Sequence, residues 1–176
     1  MDKSSLIEIL KGRYEYEQFR RNNFDNVIGL PITILALLIG GWSAFVFQVE
    51  GSWTFLKSGS SVCVLTIGIS IFYLVKVFYG FGRKYDVLPT AKIIKAHYDK
   101  LIEYHRGLNP NANSVELQEQ VNISFDEDLA KWYTDSSDLN CTINDQRAEF
   151  LHRSKLWLIL SLFIIFMLVI YQIITA

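Results

Sequence analysis

Residues 156–176 read LWLILSLFIIFMLVIYQIITA and contain no charged side chain. A helix needs roughly 20 apolar residues to cross about 30 Å of hydrocarbon, so this stretch is long enough to span a bilayer. Two further stretches share its character: residues 27–49 carry no formal charge, and residues 58–82 carry only Lys76, near their end. The sequence therefore predicts an all-α integral membrane protein with three transmembrane helices.

The basic residues beside these stretches predict their orientation. Before the first come Lys3, Lys11, Arg13, Arg20 and Arg21; after the second come Arg83 and Lys84; before the third come Arg147, Arg153 and Lys155. Only Lys57 lies between the first two stretches. Lys and Arg are enriched on the cytosolic side of membrane proteins. We therefore expect the N-terminus to be cytosolic and the C-terminus to lie on the opposite side of the membrane.

Besides the short link at 50–57, two segments lie outside the predicted spans. Residues 1–26 mix apolar side chains with charges of both signs, which is typical of an amphipathic helix lying on the cytosolic interface. Residues 83–155 are predicted to form a small cytosolic helical region. Such a short region buries little core by itself. We therefore expect the copies to associate in a homo-oligomer.

Local signals divide residues 83–155 into helices. Pro89 and Thr90 predict a start, and the Asn-Pro-Asn-Ala-Asn stretch at 109–113 predicts an end. Apolar and histidine side chains repeat along this helix at near-heptad spacing: Ile94, His97, Leu101, His105 and Leu108. Further starts are predicted at Ser114, at Ser124 with Glu127 as a capping box, and near Thr142, from where the last helix runs into the third span.

The first span contains a row of small residues. Ala36, Gly40 and Ala44 recur at four-residue spacing. Small residues at this spacing let two helix backbones approach closely within a membrane. The row therefore predicts close helix packing, either between two copies or within one copy.

One pair of residues has the spacing of a catalytic motif. Arg147 and His152 fit the R-x4-H signature of HEPN ribonucleases, although the residue after the arginine is Ala148 rather than a polar one. Five residues correspond to about 140° of helix rotation, so one helix cannot bring both side chains to one site. The competing interpretation is that both make hydrogen bonds between helices at the membrane surface, and we expect no enzymatic activity from them.

Other ligand chemistry is not indicated. His97 and His105 have no cysteine or clustered carboxylates near them in the sequence, so no metal site and no cofactor are expected. The formal net charge is −1, whereas a DNA-binding surface is strongly basic. We therefore expect no direct DNA binding.

The length, the cytosolic helices between spans and the Arg147–His152 motif together resemble a known family. The chain resembles the small membrane accessory proteins of type VI-B CRISPR loci, which act beside an RNA-guided ribonuclease. The resemblance implies a location in the bacterial inner membrane, with the C-terminus in the periplasm. It also implies a ring-shaped homo-oligomeric pore that depolarises this membrane during defence against phage, with Arg147 and His152 as structural residues. A looser resemblance is to small multi-span effectors of nucleotide-signalled anti-phage systems.

Three functions remain open from the sequence. The first is an oligomeric pore whose partners are its own copies, the lipid bilayer and, indirectly, an RNA-guided ribonuclease or its products. The second is a membrane-tethered HEPN-type ribonuclease that uses Arg147 and His152. The third is a non-enzymatic membrane scaffold that anchors a defence partner through residues 83–155.

Overall fold

A computed structural model describes residues 3–48, 53–79 and 84–175. The regular elements in these ranges are five helices: α1 Lys3–Val27, α2 Gly29–Gln48, α3 Trp53–Tyr79, α4 Ala91–Leu108 and α5 Ser114–Thr175. The chain divides into two compact units: a first unit of Met1–Arg20 and Lys84–Ile143, and a second unit of Arg21–Arg83 and Asn144–Ala176. The predicted all-α class is confirmed.

Three helical stretches are long and apolar enough to cross a membrane: Ser4–Ser43, Ser58–Phe78 and Ser114–Ile174. The prediction of three such helices is therefore confirmed. A turn at Ile28 separates α1 from α2, three residues before Pro31. Proline has no N–H to donate and its ring crowds the carbonyl four residues earlier. This explains why α1 ends at Val27 and why Pro31 lies in the first turn of α2.

The last helix is longer than the sequence signals predict. α5 is continuous from Ser114, so the predicted starts at Ser124 and Thr142 are wrong, while the unbroken run into the third apolar stretch is confirmed. The side chain of Asn113 accepts hydrogen bonds from the N–H groups of Val115 and Glu116, at 3.0 and 2.9 Å. Glu116 in turn accepts from the N–H of Asn113 at 3.3 Å. This reciprocal pair is a capping box that begins α5.

The predicted bounds of α4 are confirmed. Thr90 precedes it in an extended conformation, and the N–H of Asn109 bonds to the carbonyl of His105 at its end. Of the residues with near-heptad spacing, Ile94, Leu101 and the two histidines are half-buried, and Leu108, the last residue of α4, is exposed.

The first unit has a small apolar interior. Within the residues that the structure describes, its buried apolar side chains are Val121 and Ile143, and its buried polar side chains include Glu17 and Asn140. The amide of Asn140 accepts from the N–H of Asp86 and donates to the carbonyl of Asp86, both at 2.9 Å. Polar contacts therefore hold the 84–90 segment against α5.

One face of α1 also packs inside the first unit. The hydroxyl of Tyr14 accepts a 3.4 Å hydrogen bond from the N–H of Leu88, and its ring contacts Tyr133 edge-on at 5.9 Å. Glu17 is fully buried and pairs with Arg20 at 3.0 Å and with Arg13 at 3.4 Å. The amphipathic helix predicted for 1–26 therefore has a protein-facing side, and its contact with lipid stays a prediction.

The second unit has a larger apolar core between α2, α3 and α5. Its buried side chains include Ile28, Leu35, Trp42, Cys63, Ile67, Leu74, Val77, Leu151, Leu158 and Leu168. Partly buried apolar residues such as Phe24 and Phe150 pack around this core. This unit contains the apolar segments predicted to span the membrane.

Candidate functional site

Arg147 is buried at a junction of three helices. Its Nε donates to the backbone carbonyl of Val77 at 3.0 Å, and its Nη2 donates to Asp25 Oδ1 at 2.7 Å. The guanidinium also lies 5.1 Å from the ring centroid of Phe24. Val77 lies near the end of the described part of α3. Arg147 therefore joins α3 to α1 and α5.

A set of hydroxyl groups joins α3 to α5 further along. Ser70 Oγ donates to the carbonyl of Ser154 at 2.9 Å, and Ser154 Oγ donates to the carbonyl of Ser70 at 3.0 Å. Ser161 Oγ donates to Thr66 Oγ1 at 2.8 Å. All four side chains are buried. We call Thr66, Ser70, Ser154 and Ser161 the hydroxyl seam.

The contacts of the hydroxyl seam give the packing direction. Partners on α5 move forward from Ser154 to Ser161 as those on α3 move back from Ser70 to Thr66, so α3 and α5 are antiparallel in the second unit. Buried positions on α5 recur at alternating spacings of four and three residues: Arg147, Leu151, Ser154, Leu158 and Ser161. This is the heptad spacing of left-handed helix packing. Small hydroxyl residues within it permit close approach and supply hydrogen bonds in a membrane.

The structure does not bring Arg147 and His152 together. His152 is exposed, and no hydrogen bond to it is found among the described residues. Arg147 is buried on a different face of α5, and its Nε and Nη2 are engaged within the protomer. The pair therefore forms no acid–base site in one copy.

The small row on α2 lies on an exposed face. Ala36 and Gly40 are both exposed, whereas the side chain of Ala44 lies outside the described residues. A Cβ atom added to Gly40 would meet nothing within 4 Å. The described part of the protomer therefore supplies no close packing partner for Ala36 and Gly40.

Further small residues lie on the same face of α2, but they do not follow the four-residue spacing of the predicted row. Gly29, Thr33 and Ser43 are also exposed, and they alternate with Ala36 and Gly40 at four- and three-residue spacing. Thr33 Oγ1 donates to the carbonyl of Gly29 at 3.0 Å, and Ser43 Oγ donates to the carbonyl of Gly40 at 2.8 Å. Their hydroxyls are thus satisfied without a neighbouring helix. We call Gly29, Thr33, Ala36, Gly40 and Ser43 the α2 seam.

An apolar groove of about 420 Å³ borders the α2 seam at Ala36. Its walls come from α2 and α3 and include Ile32, Ile39, Ile71 and Phe78. Its lining is almost entirely apolar. In a membrane such a groove accommodates acyl chains or apolar side chains from another helix.

The histidines of α4 make structural contacts in the first unit. His97 Nε2 lies 2.7 Å from Asp128 Oδ2, and its ring packs against Trp132 at 5.1 Å. His105 Nε2 lies 3.0 Å from Ser124 Oγ. Ser124 thus pairs with α4 instead of capping a helix. Within the described ranges no three metal-ligating side chains form a group.

No protein-family model, curated protein or solved structure matches the chain.

Proposed function

We propose that the chain is an oligomeric inner-membrane pore that depolarises the membrane in support of RNA-guided defence against phage. The observation that carries the proposal is the exposure of the α2 seam. Small residues at this spacing favour close association of helices in lipid, because the helix backbones can approach each other. We therefore assign the α2 seam to contacts between copies.

Bulky apolar side chains are exposed on all three apolar helices of the second unit, including Leu37 on α2, Leu65 on α3 and Phe163 on α5. Such side chains are suited to contact with acyl chains. The α2 seam differs because five exposed small residues lie on one face of a single helix. This run favours α2 as the helix that meets another copy.

A conduit requires several copies. Three spans in one protomer are too few to enclose an aqueous path, and homo-oligomers usually close with point-group symmetry. The hydroxyl seam is buried within the protomer, so its groups are not available to line a path between copies. A path between copies would be lined mainly by apolar side chains, since the three spans carry only one charged residue, Lys76. Narrow apolar constrictions can gate by dewetting.

The topology and the motif residues complete the proposal. The N-terminus is cytosolic and the C-terminus periplasmic, as the Lys and Arg distribution favours. Arg147 acts as a structural residue, supported by its bonds to Val77 and Asp25. His152 takes a structural role only between copies, since it is exposed in one protomer. An RNA-guided ribonuclease or its products act on the pore indirectly.

Two glycines provide a matched test. Gly40 on α2 and Gly68 on α3 are both exposed, and an added Cβ meets nothing within 4 Å at either position. We expect Gly40→Leu to reduce the oligomer mass of detergent-purified protein and to abolish depolarisation, because a bulky side chain separates the helices. Gly68→Leu should change neither. Mass photometry measures assembly, and a potential-sensitive dye measures depolarisation in cells that also carry an active RNA-guided ribonuclease.

The proposal fails if wild-type protein is monomeric in several mild detergents. It also fails if Gly40→Leu assembles and depolarises like the wild type, or if both leucine variants are equally impaired. RNA cleavage by purified wild type that is lost in an assembled His152→Ala variant would support the ribonuclease instead.

A further inference from the structure

Lys76 is a cation held between aromatic rings in the second unit. It lies in the last turn of α3. Its Nζ is 4.6 Å from the ring centroid of Phe72 and 5.2 Å from that of Phe150. Among the described residues no carboxylate or other hydrogen-bond acceptor pairs with this ammonium. Cation–π contacts stabilise its position, but its N–H donors still require acceptors.

A second cation, Arg153, is connected to Lys76 through two aromatic rings. Arg153 is 5.9 Å from the ring centroid of Tyr73, and Tyr73 stacks on Phe150 with 6.2 Å between centroids. Arg153 pairs with Glu149 at 2.5 Å, but both side chains are about half exposed. We call Phe72, Tyr73, Lys76, Phe150 and Arg153 the Lys76 cluster. Since Glu149 offsets one of the two cations, the cluster keeps an excess positive charge.

The apolar residues along α3 extend the same face toward the middle of the span. Leu65, Ile69, Phe72 and Lys76 recur at spacings of four, three and four residues, which places them on one side of a helix. Leu65 and Phe72 are exposed, at 63% and 52%. A positive head followed by an exposed apolar track matches the shape of a phospholipid. A free phosphate ion would use only the positive head.

We propose that the Lys76 cluster binds the phosphate of an anionic phospholipid in the inner leaflet, with an acyl chain along Phe72, Ile69 and Leu65. The ammonium of Lys76 donates to the phosphate oxygens, and Arg153, connected to it through Tyr73 and Phe150, adds a second positive charge to the cluster. Hydrogen bonds between ionised groups are shorter and stronger than neutral ones. Aromatic rings and basic side chains at this depth are typical of membrane–water interfaces. The binding depends on insertion of the spans and not on pore formation.

Native mass spectrometry of the full-length chain in mild detergent tests the proposal. The added lipids are phosphatidylglycerol and phosphatidylcholine with identical acyl chains, and a parallel sample contains inorganic phosphate. We expect wild type to retain phosphatidylglycerol preferentially, with no competition from inorganic phosphate. Lys76→Gln should weaken this retention about fivefold, the order of magnitude for one lysine at an anionic surface. Lys76→Arg should preserve it.

Lys155→Gln is the matched control. Lys155 is exposed, lies near the start of the third apolar stretch and has no ring contact among the described residues. Its loss removes the same charge and should leave retention unchanged. Phe150→Leu keeps every charge and removes one ring, so it should also weaken retention. This variant still tests the site if a melting assay shows that Lys76→Gln folds poorly.

Retention by Lys76→Gln equal to that of wild type would overturn the proposal. So would an equal loss in Lys155→Gln, which would indicate a general surface attraction. Displacement of the lipid by inorganic phosphate would identify a free-anion site instead. Because lipid retention can be measured on monomers and oligomers alike, failure of the pore proposal would leave this result interpretable.

Discussion

Arg147 combines charge, shape and burial in a way that lysine cannot reproduce. Its planar guanidinium donates through Nε to Val77 and through Nη2 to Asp25 at the same time. The carbonyl that accepts from Nε belongs to Val77, a fully buried residue. A buried polar group left unpaired costs about 1–3 kcal/mol. Arg147 therefore stabilises the second unit through one carbonyl more than through its partly exposed ion pair with Asp25.

Arg147→Lys should lower the free energy of unfolding by about 1–3 kcal/mol, because an ammonium has no second, fixed donor for Val77. The measurement is thermal melting in a detergent that dissociates oligomers. His152→Ala, the exposed half of the motif, serves as the control and should melt like the wild type. Equal melting of Arg147→Lys and wild type would contradict the stabilising role of the bond to Val77.

The R-x4-H spacing singled out Arg147 in the sequence, but it did not predict which groups Arg147 contacts. Val77 and Asp25 lie 70 and 122 positions away in the sequence. No local pattern links an arginine to a carbonyl at the end of another helix. For Lys76 the sequence predicted a position near the end of a span, yet the rings of Phe72 and Phe150 become visible only in the packed helices.

At the scale of secondary-structure elements, α3 and α5 are joined by hydrogen bonds between buried hydroxyl groups and backbone carbonyls. Ser70 and Ser154 exchange hydrogen bonds with each other's backbone carbonyls, and their hydroxyls lie 3.0 Å apart. Reciprocal bonds of this kind set the register of two helices, because a shift of one turn would leave both hydroxyls without these partners. The hydroxyl seam therefore fixes the register of α3 against α5 within the apolar core.

Ser70→Ala and Ser154→Ala should each destabilise the protein, and the double variant should cost less than the sum. The expected coupling is about 0.6 kcal/mol, the average for hydrogen bonds between membrane helices. Steric trapping or reversible unfolding in detergent micelles measures it. Ser70→Ala with Ser43→Ala is the control cycle and should be additive, since Ser43 bonds within its own helix. Strictly additive energies for Ser70 and Ser154 would rule out the seam as a coupled unit.

Apolar length predicted the helices better than local capping signals did. The three apolar stretches were recognisable because a long uncharged run has few alternatives to a helix. Ser124 and Glu127 matched a capping box, but Ser124 instead reaches His105 on α4. The sequence did not predict the buried face of α5, because arginine and serine occupy some of its heptad positions and interrupt the apolar pattern.

At the scale of the whole molecule, the two units differ in how they hold together. The second unit has a continuous apolar core, whereas the first relies on polar contacts such as Asn140 to Asp86 and His97 to Asp128. A unit with so few buried apolar residues is marginal by itself. This difference is consistent with the proposal that copies support one another. It also explains why composition alone predicted the membrane segments but not the packing of residues 84–143.

Membrane topology tests the central claim most directly, because the pore and the lipid site both require three spans. An odd number of spans puts the two ends of the chain on opposite sides of the membrane. Alkaline phosphatase, which is active only in the periplasm, is fused after Ala176 in one chain and after Asn111, between α4 and α5, in another. We expect activity at Ala176 and none at Asn111. Inactive but stably expressed enzyme at Ala176 would contradict the three-span account.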